Sequence, residues 1–442
     1  MSTGPGRKAS ISAHHDVVHH EDVEIDPPAA DLSLKNVGAP GISYFTPAQA
    51  IPSGTASNPQ PDGTTPPKLF TPLNIRGLTM QNRIGVPPMC QYSAQDGHAT
   101  PFHIAHYGGI IQRGPGITIV EATSVLPEGR LTPEDLGLWK DSQVDAFKPV
   151  VEFAHSQNQK IAVQLGHAGR KACTVAPWLS YGEVCPKALG GWPDNVYAPS
   201  AIAFNDHHAQ PKEMTEADIE TFKSAWVAAV KRALAAGFDA IEIHNAHGYL
   251  LHSFLSPVSN HRTDKYGGSF ENRIRLTVEI IDLTRANVPA DFPIFLRISA
   301  TDWLEHLKDT PSWTVEDSIK LAVIAAEHGV DLLDVSSGGS HPDQQILSAA
   351  SYQADFAKKI KAVVGDKLLV ATVGLIVYGK QAQKLLDAGL DVVLSGRSFL
   401  KNPGLVWVWA EDLGCEIQCA NQIQWGFGGK VGFKKFVLET DD

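Results

Sequence analysis

From residue 68 onward the chain alternates between two hydrophobic textures. Short, mostly apolar runs recur at 82–89, 117–125, 160–167, 240–244, 292–299, 331–336, 368–373 and 392–395. Runs of this kind suit strands buried on both faces, as in a parallel sheet. Between them, apolar residues return at helical spacing, as in Ile219, Phe222, Trp226, Val230 and Ala233. Thr215 with Asp218, and Thr314 with Asp317, read as capping boxes that start two of these helices. The helices stop at glycine, and a strand follows at once: Gly237-Phe238-Asp239, Gly329-Val330-Asp331 and Gly389-Leu390-Asp391 are three copies of one junction. Glycine takes the left-handed position after a helix at no steric cost. Helix, glycine and strand, repeated over eight strands, predict an α/β fold closed as a (β/α)₈ TIM barrel. A doubly wound sheet is the alternative, but no early Gly-x-Gly-x-x-Gly fingerprint supports it.

Residues 1–66 have another texture. Pro, Gly, Ser, Thr and Ala dominate, and 52–67 is especially poor in apolar side chains. Such a stretch buries too little surface to offset its ordering entropy. The expected layout is a low-complexity extension at 1–66, disordered or wrapped on the barrel, and a barrel domain at 67–442. A long loop at 172–198, carrying Trp178, Trp192 and Tyr197, is expected to cap the barrel. His14, His15, His19 and His20 suit either a solvated tail or a metal site.

Composition narrows the function classes. Hydrophobic residues make up 43% and the formal net charge is −11. That core is sizeable, and the charge disfavours nucleic-acid partners. No run approaches the roughly 20 apolar residues of a membrane span. Five scattered cysteines do not form a disulfide framework. The expectation is a soluble, cytoplasmic protein with small-molecule partners.

In such a barrel the working face lies at the C-terminal ends of the strands. The first run ends at Pro87-Pro88-Met89-Cys90, with Tyr92 close behind. Cys90 reads as a reactive thiol or as a small buried hydrophobe. The third ends at Gln164, whose amide suits a ring edge with imide-like groups but also suits plain backbone bonding. The fourth ends at His244-Asn245-Ala246-His247-Gly248-Tyr249. Three readings stand for it: a donor pair for a carbonyl oxygen with Tyr249 as proton donor, a metal site, or two structural histidines. Arg297 ends the fifth and needs an electron-rich partner if buried. Gly374 follows the seventh run, and Gly396 and Arg397 follow the eighth, as a phosphate site in this fold would require.

Together these residues resemble the Old Yellow Enzyme family, in the branch with a cysteine after the first strand. The likeness also runs through Lys68–Leu73, Gln81–Ile84, Thr100–Tyr107, Leu255–Gly268 and Glu271–Arg273, and covers about residues 68–410. It implies an NAD(P)H-dependent ene-reductase that carries FMN noncovalently, with NADPH or NADH as hydride donor and activated alkenes as substrates. By the same resemblance, Pro88, Met89, Cys90, Ala122, Gln164, Arg297, Gly374, Gly396 and Arg397 bind the flavin. His244 and His247 grip the substrate oxygen, Tyr92 touches the substrate, Tyr249 donates a proton, and no metal is used. A flavin-dependent isomerase or oxidase of a dedicated pathway substrate remains as an alternative, with a metal-dependent hydrolase behind it. Three departures from the family pattern stand out. Pro87 replaces a usual Ser, loop 172–198 is longer than in short bacterial members, and Trp425 takes the place of a C-terminal Arg. An arginine lent across a dimer is therefore not expected, which leaves monomer or homodimer open.

Overall fold

The computed structural model describes residues 35–427. The histidine-rich start lies outside the described residues. Eight parallel strands close one barrel: β1 (Ile84–Val86), β2 (Ile117–Ser124), β3 (Ile161–Gly166), β4 (Ala240–Asn245), β5 (Ile294–Ser299), β6 (Leu332–Ser336), β7 (Leu369–Thr372) and β8 (Val392–Leu394). Neighbours in sequence are neighbours in space, and β8 closes on β1 through Val393 opposite Ile84. The closure excludes the doubly wound alternative.

The local signals act where the sequence places them. Thr215 accepts a hydrogen bond from the Asp218 amide and starts the helix Glu216–Ala236. Thr314 does the same with Asp317 for Val315–Glu327. Gly237, Gly329 and Gly389 have φ of 92°, 90° and 101°, the left-handed conformation required of the stop.

The barrel lumen is filled in its lower half by Ile117, Ile119, Ala162, Ala240, Phe295, Leu332, Ala371, Val392 and Leu394. An antiparallel hairpin, Leu73–Ile75 with Leu78–Met80, packs Ile75, Leu78 and Met80 into the same cluster and plugs the N-terminal mouth. The floor is therefore filled with apolar side chains, and the candidate site lies at the other end.

Part of the stretch read as an extension packs on the barrel. The Gly54 amide donates to the Gln418 carbonyl at 2.8 Å, and Ala56 bridges Ile417. Gln81 and Gln159 both donate to the Ser53 carbonyl at 3.0 Å. Gly54 has φ +82°, and a Cβ there would lie 2.0 Å from the Gly114 oxygen. Backbone pairing and buried amides hold this segment, so hydrophobic periodicity could not reveal it.

Candidate active site

The strand ends converge as the barrel geometry demands. In β2 the register shifts between Val120 and Thr123. Such a bulge re-aims the side chains beside it. Glu121 turns to the helix Pro101–Ile111, where the Tyr107 hydroxyl donates to it at 3.1 Å, while the Gln91 amide donates to its other oxygen at 2.6 Å. Ala122 is left lining a small cavity with Gly166, His167, His244 and Tyr249. The Cys90 thiol lies against the Ala122 amide; burial, then Asp135 and Glu121, push its pKa well up. Cys90 is therefore a neutral thiol, not a thiolate nucleophile.

Below the rim is a polar layer. Gln164 stands opposite Glu242, and Arg297 is flanked by His244 and Asp334. Gln164 donates to Glu242 at 2.8 Å, which fixes which end of its amide faces the pocket. Arg297 Nε lies 3.1 Å from Asp334, both buried. Burial raises the pKa of Asp334, opposed by Arg297; burial and then Asp334 raise that of Glu242. The Arg297 guanidinium pairs with Asp334, while the charge of Asp334 disfavours ionisation of Glu242 beyond it. Sequence reasoning missed both partners. The signal was a charged residue inside an otherwise apolar strand.

His244, His247 and Tyr249 come together above this layer. The His244 ring centroid lies 5.4 Å from that of His247 and 4.7 Å from that of Tyr249, both near perpendicular. His247 has φ +61°. Its amide donates to Ser299 Oγ at 2.8 Å, and its Nε2 bonds Ser336 Oγ at 2.7 Å. His244 Nδ1 is buried and has no protein partner. Burial first, then Arg297, hold both histidines well below the usual imidazole range, so both are neutral near pH 7. Burial, then Cys90 and Tyr92, raise the Tyr249 phenol well above its ordinary value, so it keeps its proton.

The remaining candidates border a neighbouring cavity of about 280 Å³. Pro88, Met89 and Arg297 line it with Gly374, Gly396 and Arg397. Gly374 has φ +122°, and a Cβ there would meet Gln353 and Tyr352 at 2.9 Å. A Cβ on Gly396 would lie 3.1 Å from Met89 Sδ. Both glycines keep backbone amides open to the cavity, and Arg397 adds a fork of donors, which is the chemistry a phosphate needs. The residues present thus fit a flavin mononucleotide. Pro87 is also in the lining, where its ring offers no hydroxyl.

Loop 172–198 meets this face at more than one point: Cys173, Cys185 and Val196 belong to a cluster on which Trp192 and Tyr249 both pack. The Trp178 ring meets Tyr92 edge-on, centroids 5.4 Å apart. The Trp192 ring lies 4.6 Å from the guanidinium of Arg130, which lines the cavity with Tyr249, and Tyr197 pairs with Lys212 in a short two-stranded sheet.

A closed parallel barrel whose rim residues fit a mononucleotide is consistent with a flavin oxidoreductase. Residues 68–414 match the NADH:flavin oxidoreductase / NADH oxidase family, and the chain belongs to it. It is an FMN-dependent, NAD(P)H-using oxidoreductase of the Old Yellow Enzyme type. It is 56% identical over 412 residues to a NADH:flavin oxidoreductase of Gibberella zeae, covering 91% of this chain and 98% of that one. It is 41% identical to a NADPH dehydrogenase of Bacillus subtilis, covering 81% and 99%. Among solved structures, morphinone reductase superposes with a TM-score of 0.65 at 26% identity, covering 80% of this chain and 91% of that one. The Old Yellow Enzyme of Pichia sp. gives 0.64 at 26%, covering 80% and 88%.

His167, beside this site, makes the fold acid-sensitive. It is buried, its Nδ1 accepts from the Gly169 amide at 2.9 Å, and burial lowers its pKa to about 3. Its folded pKa is depressed, so its contribution is present above the unfolded value near 6.5 and is lost as pH falls toward 3. The expected result is a urea-unfolding free energy that declines below about pH 6.5, by up to roughly 1.4 kcal/mol per pH unit for this one proton. His167→Gln should reduce that slope by about one proton. An unchanged slope would remove His167 as a cause.

Proposed function

We propose that the chain is an ene-reductase, reducing the C=C bond of α,β-unsaturated carbonyl compounds at the expense of NAD(P)H. The observation that carries this reading is the buried, unpartnered His244 Nδ1, set beside His247 and a protonated Tyr249.

FMN, when bound, would supply the two-electron chemistry that links NAD(P)H to the alkene. The rest falls to the protein. Pro88, Met89, Cys90 and Ala122 would line the flavin, with the neutral Cys90 thiol adjusting its redox poise. Gln164, held by Glu242, would offer its amide to polar ring groups, and Arg297 would balance negative charge on the ring. Gly374, Gly396 and Arg397 would hold the phosphate. His244 and His247, both neutral, donate to the carbonyl oxygen and stabilise the enolate charge as it develops. Tyr249, with its proton retained, donates to the α-carbon. Tyr92 borders the substrate, and Trp178 of loop 172–198 caps it.

Metal-dependent hydrolysis at His244 and His247 would need more ligands. Among the described residues no group of three or more His, Cys, Asp or Glu is placed to hold a metal. A flavin-dependent isomerase or oxidase would use the same cradle and differ in substrate.

The test is a visible spectrum of the purified protein, followed anaerobically by NADPH and then 2-cyclohexenone. A flavin band that bleaches and returns with the enone is the expected result. A band that bleaches and stays reduced would replace the ene-reductase reading with a narrow pathway substrate. No band after reconstitution with FMN would remove the flavin assignments.

A further inference from the structure

Lys171 is used by none of the steps above, yet it sits at their centre. It follows β3 in the loop that also carries Arg170. Part of its surface reaches solvent. Its Nζ turns inward, donating to the His247 carbonyl at 2.9 Å and to the Gly339 carbonyl at 2.5 Å. It also lies 4.3 Å from the Phe204 ring centroid and 5.7 Å from that of Tyr249.

Those two carbonyls belong to different loops. His247 lies after β4, and Gly339 lies after β6. The loops touch backbone to backbone. A Cβ on Gly248 would lie 2.1 Å from the Gly339 oxygen, and a Cβ on Gly339 would lie 2.5 Å from His247. Glycine at both positions makes the approach possible, but it supplies no bond across it. Two carbonyl dipoles drawn close together repel unless a cation lies between them. Lys171, arriving from a third loop, is that cation. The need is acute at His247, whose φ of +61° is uncommon for a residue with a side chain. Its amide and ring are held by Ser299 and Ser336. Its carbonyl is held by Lys171.

We propose that Lys171 is a positioning residue, bolting the His247 and Gly339 loops together so that the His247 imidazole stays aimed at the substrate oxygen. The proposal rests on the reading of His244 and His247 as an oxygen grip. Lys171 touches no reacting atom; it acts through the His247 backbone.

The charge state of Lys171 gives the device a signature. Burial, then Arg170, bring its pKa down to about 7. The groups facing it are Arg170 beside it, His208 across the loop, His244 and His247 from β4, and the Tyr249 ring. None of these is a carboxylate that would restore the charge. As pH rises through neutrality the ammonium becomes an amine, and two charge-assisted bonds become ordinary ones, roughly half as strong.

The experiment uses FMN-loaded enzyme and compares wild type with Lys171→Met and Lys171→Arg. For wild type, KM for 2-cyclohexenone should rise as pH goes from about 6 to about 9, with kcat changing less. Lys171→Met should have a KM raised about tenfold or more at low pH, and no such rise. Lys171→Arg keeps its charge throughout, so it should hold KM near the wild-type low-pH value and flatten the profile. Hydrogen exchange read by mass spectrometry should be faster in Lys171→Met for peptides spanning 244–250 and 336–341. Unchanged exchange in Lys171→Met, or a wild-type KM profile in both variants, would overturn the proposal. If wild-type enzyme does not turn over the enone, the ene-reductase reading fails, and the exchange comparison still decides whether Lys171 holds the two loops.

Discussion

Tyr249→Phe is expected to slow enone reduction by about 10²–10⁴-fold, the usual contribution of a positioned general acid. The reason is specific to this pocket. The phenol is enclosed, and burial holds its proton well into the alkaline range. Phe keeps the edge-on packing against His244, whose centroid lies 4.7 Å away, so the pocket retains its shape. Only the proton is lost. Bleaching of the flavin by NADPH asks for no proton on a substrate carbon and should fall by less than about tenfold. Stopped-flow measurement of the two half-reactions separates them. Equal losses in both would take Tyr249 out of the donor role.

His244→Ala should cost the site its grip on oxygen. His244 Nδ1 is buried and unpartnered by protein, so its hydrogen bond awaits a ligand. A bound phenol answers that atom as a substrate carbonyl would. Titration of a phenol against the flavin spectrum should show affinity falling by about 10- to 100-fold, the worth of one buried polar bond with its pocket. His247, whose Nε2 is taken by Ser336, has one ring nitrogen left for the oxygen and does not replace the lost donor. An unchanged phenol affinity would contradict the oxygen-grip assignment. A loss for the enone without a loss for the phenol would point to a packing role.

Much of this site was legible residue by residue. Gln164, His244, Arg297, Gly374 and Gly396 lie at or just past the ends of apolar runs, and the barrel rule turns those positions into one face. Three features were not legible. The bulge in β2 sends Glu121 outward and Ala122 into the pocket, and nothing in Glu121-Ala122-Thr123 marks an extra residue. The left-handed backbone at His247 depends on Ser299, Ser336 and Lys171, contributed by three other strand ends. Asp334 and Glu242 become partners of Arg297 and Gln164 only through inter-strand register.

The sequence by itself determined the order of strands and helices, the start and stop of the helices, and which ends of the strands carry the candidate residues. These depend on contacts within a few residues: a hydroxyl meeting an amide three positions on, a glycine free to turn left, an apolar run fit for a buried strand. The tertiary structure alone decided that 47–60 packs on the barrel floor, that a hairpin plugs its lower mouth, and that Arg297 pairs with Asp334. It also placed Lys171 on the carbonyls of two distant loops. Each of these is a bond between residues far apart in the chain, and its energy exists only once the barrel has closed.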